Sequence, residues 1–261
     1  MKALNIAATG MLAQQLNVEV ISHNIANMRT TGYKRQRVEF EDLLYQNLDR
    51  VGSTSSDTGT MLPAGIQIGL GVKPASTYRV MTQGDVAQTE KPLDIAIRGE
   101  GMFQVQLPDG RTAYTRAGSF ERDADGRLVT LEGYLIEPAI TIPDNARDIT
   151  VSPDGQVQVT LDNDPVPQLI GRLELARFAN KTGLEAIGDN LFVETPASGA
   201  PTTGNPGEDG FGSLLQAFLE HSNVNAVAEI SELIAAQRAY EMNARVISAA
   251  DEMMSATSNL R

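Results

Sequence analysis

Cysteine is absent from this 261-residue chain, and so is tryptophan. The first absence removes disulfides, thiolate nucleophiles and cysteine-based zinc sites together. The second leaves aromatic residues at only 5% of the chain, lean for one large compact core. Two histidines, His23 and His221, lie far apart in sequence, which leaves little for imidazole catalysis or metal binding. Positive charge is also in short supply: 33 acidic against 21 basic residues give a formal charge of −12. A general attraction to nucleic acid or anionic lipid is thereby excluded. No apolar run approaches the roughly 20 residues that cross a bilayer. Gln14, Gln15, Asn17 and Glu19 interrupt any early apolar run, so the start is not expected to be a cleaved secretory signal.

Catalytic motifs are missing too. Gly99-Glu100-Gly101 opens a dinucleotide fingerprint but lacks its third glycine and its helix. Asp123-x-Asp125-Gly126 and Asp162-Asn163-Asp164 lack the distal glutamate of a calcium loop and read as turns. We therefore expect no catalytic, cofactor or metal site, and a chain that is not an enzyme.

What is present is two similar ends around a different middle. Leu4, Ala8, Met11, Val18 and Ile25 fall on steps of four and three, a helical stripe of heptad type. Residues 224–259 contain no Gly or Pro, and Ala226, Ile230, Leu233, Tyr240, Ala244, Ile247 and Met254 follow the same rhythm. Each helix would run about 40–55 Å. The stripes are rich in Ala and Met and broken by polar residues, which suits a helix packed among many others better than an isolated pair.

The middle is β-rich. Phe103, Val105 and Leu107 alternate with glutamines, then Pro108-Asp109-Gly110 turns the chain into 112–115. Turn signals recur at Asp125-Gly126, Glu132-Gly133 and Asp154-Gly155. The expected class is α+β: paired terminal helices plus a mostly antiparallel β domain. Three regions are expected: residues 1–32 with 225–261 as a helical core, 33–70 with 211–224 as a linking region, and 71–210 as a β-rich outer domain. Segments 52–60 and 195–212 read as linkers. Arg29, Lys34, Arg35 and Arg37 form a basic knot, either a solvated turn or a docking patch for an acidic neighbour.

Several motifs carry a resemblance. Ser22-His23-Asn24-Ile25-Ala26-Asn27 with Thr31-Gly32-Tyr33-Lys34-Arg35 resembles the N-terminal signature of flagellar rod and hook proteins. Gln83-Gly84-Asp85, Gly99-Glu100-Gly101-Met102-Phe103 and Tyr114-Thr115-Arg116-Ala117-Gly118-Ser119-Phe120 are similar to that family's central block. Asn223-Val224-Asn225 and Ile234-Ala235-Ala236-Gln237-Arg238-Ala239-Tyr240-Glu241 match its C-terminal signature. Residues 46–65 resemble a stretch of the distal-rod branch, which argues against a proximal rod or hook subunit.

The resemblance implies a self-assembling subunit of a straight tubular drive shaft in the basal body. It also implies export by the flagellar type III system without a cleaved signal, and no direct membrane insertion. The implied partners are further copies in a helical polymer, proximal rod proteins, hook or hook-junction proteins and the surrounding rings. Leu4, Met11, Val18 and Ile25, with Ile230, Leu233, Tyr240 and Ile247, are the expected helix-packing residues. Asn24, Asn27, Gly32 and Tyr33 are signature positions whose roles the sequence leaves open.

Overall fold

A computed structural model describes residues 2–49, 65–162, 164–208 and 210–259. It has the expected α+β character: two helices, α1 (Lys2–Ala26) and α2 (Ala226–Asn259), flank a succession of short strands. The chain divides into two units, grouped differently from the three regions read in the sequence. Met1–Ile25, Gln36–Tyr78 and Asn225–Arg261 make one; Ala26–Arg35 and Arg79–Val224 make the other.

The first unit holds both helices and a long β ribbon. Strand Gln36–Asp42 pairs with Val72–Arg79, and Tyr45–Asp49 pairs antiparallel with Ile66–Gly69. Most of the distal-rod-type stretch, and all of the 52–60 linker, lies outside the described residues. The ribbon's outer end carries exposed apolar side chains, Leu44, Tyr45, Leu48 and Ile66. Thr9 Oγ1 accepts from Val72 N at 3.3 Å, fastening the ribbon to α1.

The second unit is an antiparallel β body. Its largest sheet runs in the order Glu185–Gly188, Leu191–Val193, Thr112–Thr115, Met102–Gln106, Leu135–Glu137, Leu128–Thr130, Phe120–Arg122. The hairpin expected at Pro108-Asp109-Gly110 forms with Val105 opposite Ala113. A second, three-stranded sheet joins Ala146–Val151, Gln156–Leu161 and Asp164–Arg172.

Met102–Gln106 departs from the half-buried alternation read in the sequence, because both of its faces are covered. Phe103 enters the main core with Ile95, Ile97, Phe120, Leu175 and Leu214. Met102 enters a smaller cluster with Tyr114, Phe178 and Phe192. Gln104 is buried as a result. Few aromatics suffice because they are concentrated. Phe103 and Phe120 meet edge-to-face at 5.0 Å, and Tyr114 and Phe178 at 4.7 Å.

The 195–212 linker reading does not hold for the described residues. Strand Thr202–Gly204 pairs with Leu175–Arg177. Ser198 is buried, its hydroxyl accepting from Thr195 N and donating to Thr195 O. Proline and glycine here shape a tight path over the β body instead of a free tether.

Candidate functional site

The two helices of the first unit run antiparallel. Asn24 Nδ2 lies 3.1 Å from Glu229 Oε2, and a methyl added at Gly10 would fall 2.9 Å from Asn243 Nδ2. The step from Gly10 to Asn24 equals the step from Asn243 back to Glu229, so the register is continuous between them. The buried seam is built from small residues: Ala7 and Ala13 on α1, Ala236 and Ala250 on α2. Val20 and Ile21 complete it on α1 near the Asn24 end. Small side chains let the two backbones approach closely.

That seam is rotated from the stripe read in the sequence. Leu4, Met11, Val18 and Ile25 lie along one shoulder of the α1 seam and are half-buried. Leu233 and Ile247 are half-buried on α2, whereas Ile230 is 48% and Tyr240 43% exposed. Other large apolar residues of α2 face outward as well. At 3.6 residues per turn, Val227, Ile230 and Ile234 lie on the face of α2 turned away from the seam, and Met242, Val246 and Met253 on one flank of it; all six are exposed. A helix with a packed small-residue seam and two exposed apolar patches has surface for more than one further neighbour.

The signature residues acquire geometry. Asn24 is buried near the end of α1, where its amide copies a strand partner. Oδ1 accepts from Gln36 N and Nδ2 donates to Gln36 O, both at 2.8 Å, while Nδ2 also reaches Glu229. One side chain thus ties α1, the first ribbon strand and α2. Asn24→Ala should lower the stability of this unit by about 1–3 kcal/mol, the range for stripping partners from buried polar groups. Thermal unfolding followed by helical circular dichroism would register it. Asn27 closes the helix exit, its main-chain O accepting from Thr30 N and its Oδ1 from Thr30 Oγ1. Tyr33 is buried in the second unit.

The basic knot resolves into something neither reading anticipated. Lys34 is fully buried and pairs with Glu220 Oε1 at 2.5 Å, donating as well to Thr82 O at 2.8 Å. Arg116 Nε meets Glu220 Oε2 at 2.6 Å, and its other nitrogens donate to the carbonyls of Ile97, Gly99 and Gly101. Gly84 N completes the carboxylate at 3.0 Å. Burial acts to raise the Glu220 pKa, but the charges of Arg116 and Lys34 outweigh it and hold the carboxyl below the usual range. Burial lowers the Lys34 pKa, only partly offset by Glu220. Lys34 is therefore no exposed docking cation. Arg37 keeps a solvated ion pair, with Glu39 at 3.6 Å.

The faint calcium loop at Asp123 is closed by an arginine. Arg127 Nε lies 2.8 Å from Asp123 Oδ2, and Arg127 Nη2 lies 2.9 Å from Asp125 Oδ2. Among the described residues no group of three His, Asp or Glu is placed to hold a metal ion. Sequence reasoning missed the seam alanines, Glu220 and Arg116. An alanine period offset from the large-residue stripe was the available signal for the first, and nothing local signalled the others.

Comparison with known proteins bears on what such a chain builds. Residues 4–34 match a family model described as flagella basal body rod protein, 96–159 match the flagellar hook protein FlgE/F/G D1 domain, and 215–260 match the flagellar basal body rod FlgEFG protein C-terminal. The Flagellar basal-body rod protein FlgG of Caulobacter vibrioides is 60% identical, covering 100% of both chains. That of Agrobacterium fabrum is 52% identical over 99% of this chain and 98% of its own. That of Bacillus subtilis is 36% identical over 100% of this chain and 99% of its own. With relatives this similar over full length, the chain belongs to the flagellar basal-body rod protein family and is a structural subunit of the rod.

Proposed function

We propose that the chain polymerises with copies of itself into the straight, tubular distal rod, and that it serves as a mechanical part with no catalytic role. The observation that carries this reading is the pair of exposed apolar patches on α2, Val227-Ile230-Ile234 on its outer face and Met242-Val246-Met253 on one flank. Exposed apolar surface on two faces of a helix is a liability for a lone subunit and an asset in a tube wall. Leu4, Met11, Val18 and Ile25, with Leu233, Tyr240 and Ile247, would extend the contact between neighbours. The ribbon's exposed end, with Leu44, Tyr45, Leu48 and Ile66, is the root of an arm that braces adjacent subunits. Proximal rod proteins, hook-junction proteins and the rings around the rod are the further partners of this reading, and type III export its route out.

Deleting the gene and imaging purified basal bodies by electron microscopy tests the assignment. Rods that stop short, without outer rings and hook, are the expected result; complete rods would overturn it. Ile230→Asp tests the outer patch. The residue is exposed in the subunit, so folding should change by no more than about 0.5 kcal/mol, while polymerisation and swimming are lost. Full-length rods built from Ile230→Asp protein would remove that patch from the interface.

A further inference from the structure

The Lys34–Arg116–Glu220 cluster is unbalanced. It buries two cations against one carboxylate, and its cationic side opens on a pocket of about 120 Å³. The pocket's apolar wall is Met102, Ala176 and Phe178. Lys34 uses two of its three N–H donors, on Thr82 O and Glu220. Arg116 uses four of its five, leaving one on Nη1. At the rim, Lys181 pairs with Glu100, and Arg177 donates to Gly210 O while stacking over Phe211. Counting cluster and rim together, four cations face two carboxylates in a chain whose overall charge is −12. A buried surplus cation is costly unless paired. The volume admits a carboxylate or sulfate group together with water.

We propose that this pocket is an oxyanion site, taking one carboxylate or similarly sized oxyanion to complete the ion network. The anion would meet the unspent donors of Lys34 and Arg116, with Lys181 screening it at the rim and Glu100 competing for the same cations. The chemistry has two sources: a small anion from solution, or an acidic side chain of a second copy, which this acid-rich chain supplies in abundance. The site lies wholly in the β body and does not rest on the apolar patches of α2.

The test uses the full chain and two rim variants that spare the buried cluster. Backbone amide resonances of Gly99, Glu100 and Gly101 are followed by NMR while sodium sulfate or sodium acetate replaces sodium chloride at constant ionic strength. Saturable shifts at these amides are expected. Lys181→Ala should weaken binding about fivefold and Glu100→Gln strengthen it by a similar factor, the upper range for one exposed charge. Shifts that fail to saturate, or that respond equally in both variants, would overturn the proposal and leave a water-filled gap above an internal ion cluster. Sedimentation velocity separates the sources. Saturating sulfate that weakens self-association identifies the side chain of a second copy; sulfate that binds but leaves self-association unchanged identifies a free anion.

Discussion

Replacing Glu220 by Gln should destabilise the β body by about 3–5 kcal/mol, the cost of breaking a buried ion pair and leaving its partners charged. That is a large share of the roughly 5–15 kcal/mol that holds a domain together. Lys34 and Arg116 would both lose their counter-charge while remaining buried. Urea unfolding followed by tyrosine near-ultraviolet circular dichroism would show the shift, since the chain has no tryptophan. Adding Lys34→Met should recover part of the loss, because one uncompensated charge is then removed. Strictly additive losses in the double variant would mean that the three groups do not act as one network.

The same carboxylate sets an acid limit. Its pKa is held below the usual value near 4.5. As pH falls below 4.5 the unfolded chain takes up this proton before the folded one does. The Glu220 contribution is therefore complete above that pH and is lost as pH falls through the folded pKa. Lys34 acts at the other end: its depressed pKa means that stability rises as pH climbs from the folded value toward 10.5, where the unfolded chain alone keeps the proton. Glu220→Gln should flatten the acid limb of the wild-type profile.

The helices, the hairpin at Pro108-Asp109-Gly110 and the α+β class were legible because each is a local pattern. The helix seam was not, for a physical reason. Periodicity ranks residues by size and polarity, and so it found Ile230 and Tyr240. Close helix contact instead selects Ala7, Ala13, Ala236 and Ala250, which release the large residues outward. The ion cluster was hidden because Lys34 meets a carboxylate 186 positions away and Arg116 one 104 positions away. A burst of positive charge looks solvated until its distant partner is known. The 195–212 segment misled in the same way, since proline and glycine mark any non-helical path, whether a free tether or a covering strand. The roles of Asn24 and Gly32 needed backbone geometry that no residue count contains.

Gly32→Ala should rank with Glu220→Gln in severity, and the comparison with Gly110→Ala shows why. Both glycines adopt left-handed backbone, with φ of +70 at Gly32 and +82 at Gly110. A side chain in that region costs roughly 1–2 kcal/mol. At Gly110 nothing lies within 4 Å of an added methyl, so that strain is the whole effect. At Gly32 the methyl would sit 2.6 Å from Ala117 N and 2.8 Å from the Arg116 carbonyl carbon. These are backbone atoms of the segment carrying the buried arginine, and they cannot rotate aside. Relief requires pulling the 30–33 turn away, which strains the 2.8 Å bond from Gly32 N to Glu220 O. Overpacking of this kind adds about 1–3 kcal/mol, for a total of about 2–5 kcal/mol. Parallel urea titrations of the two variants should separate the contributions. Equal losses at both positions would show that the chain moves aside at Gly32. A larger loss at Gly32 would tie this signature glycine to the close approach that seats Lys34 and Arg116 around Glu220.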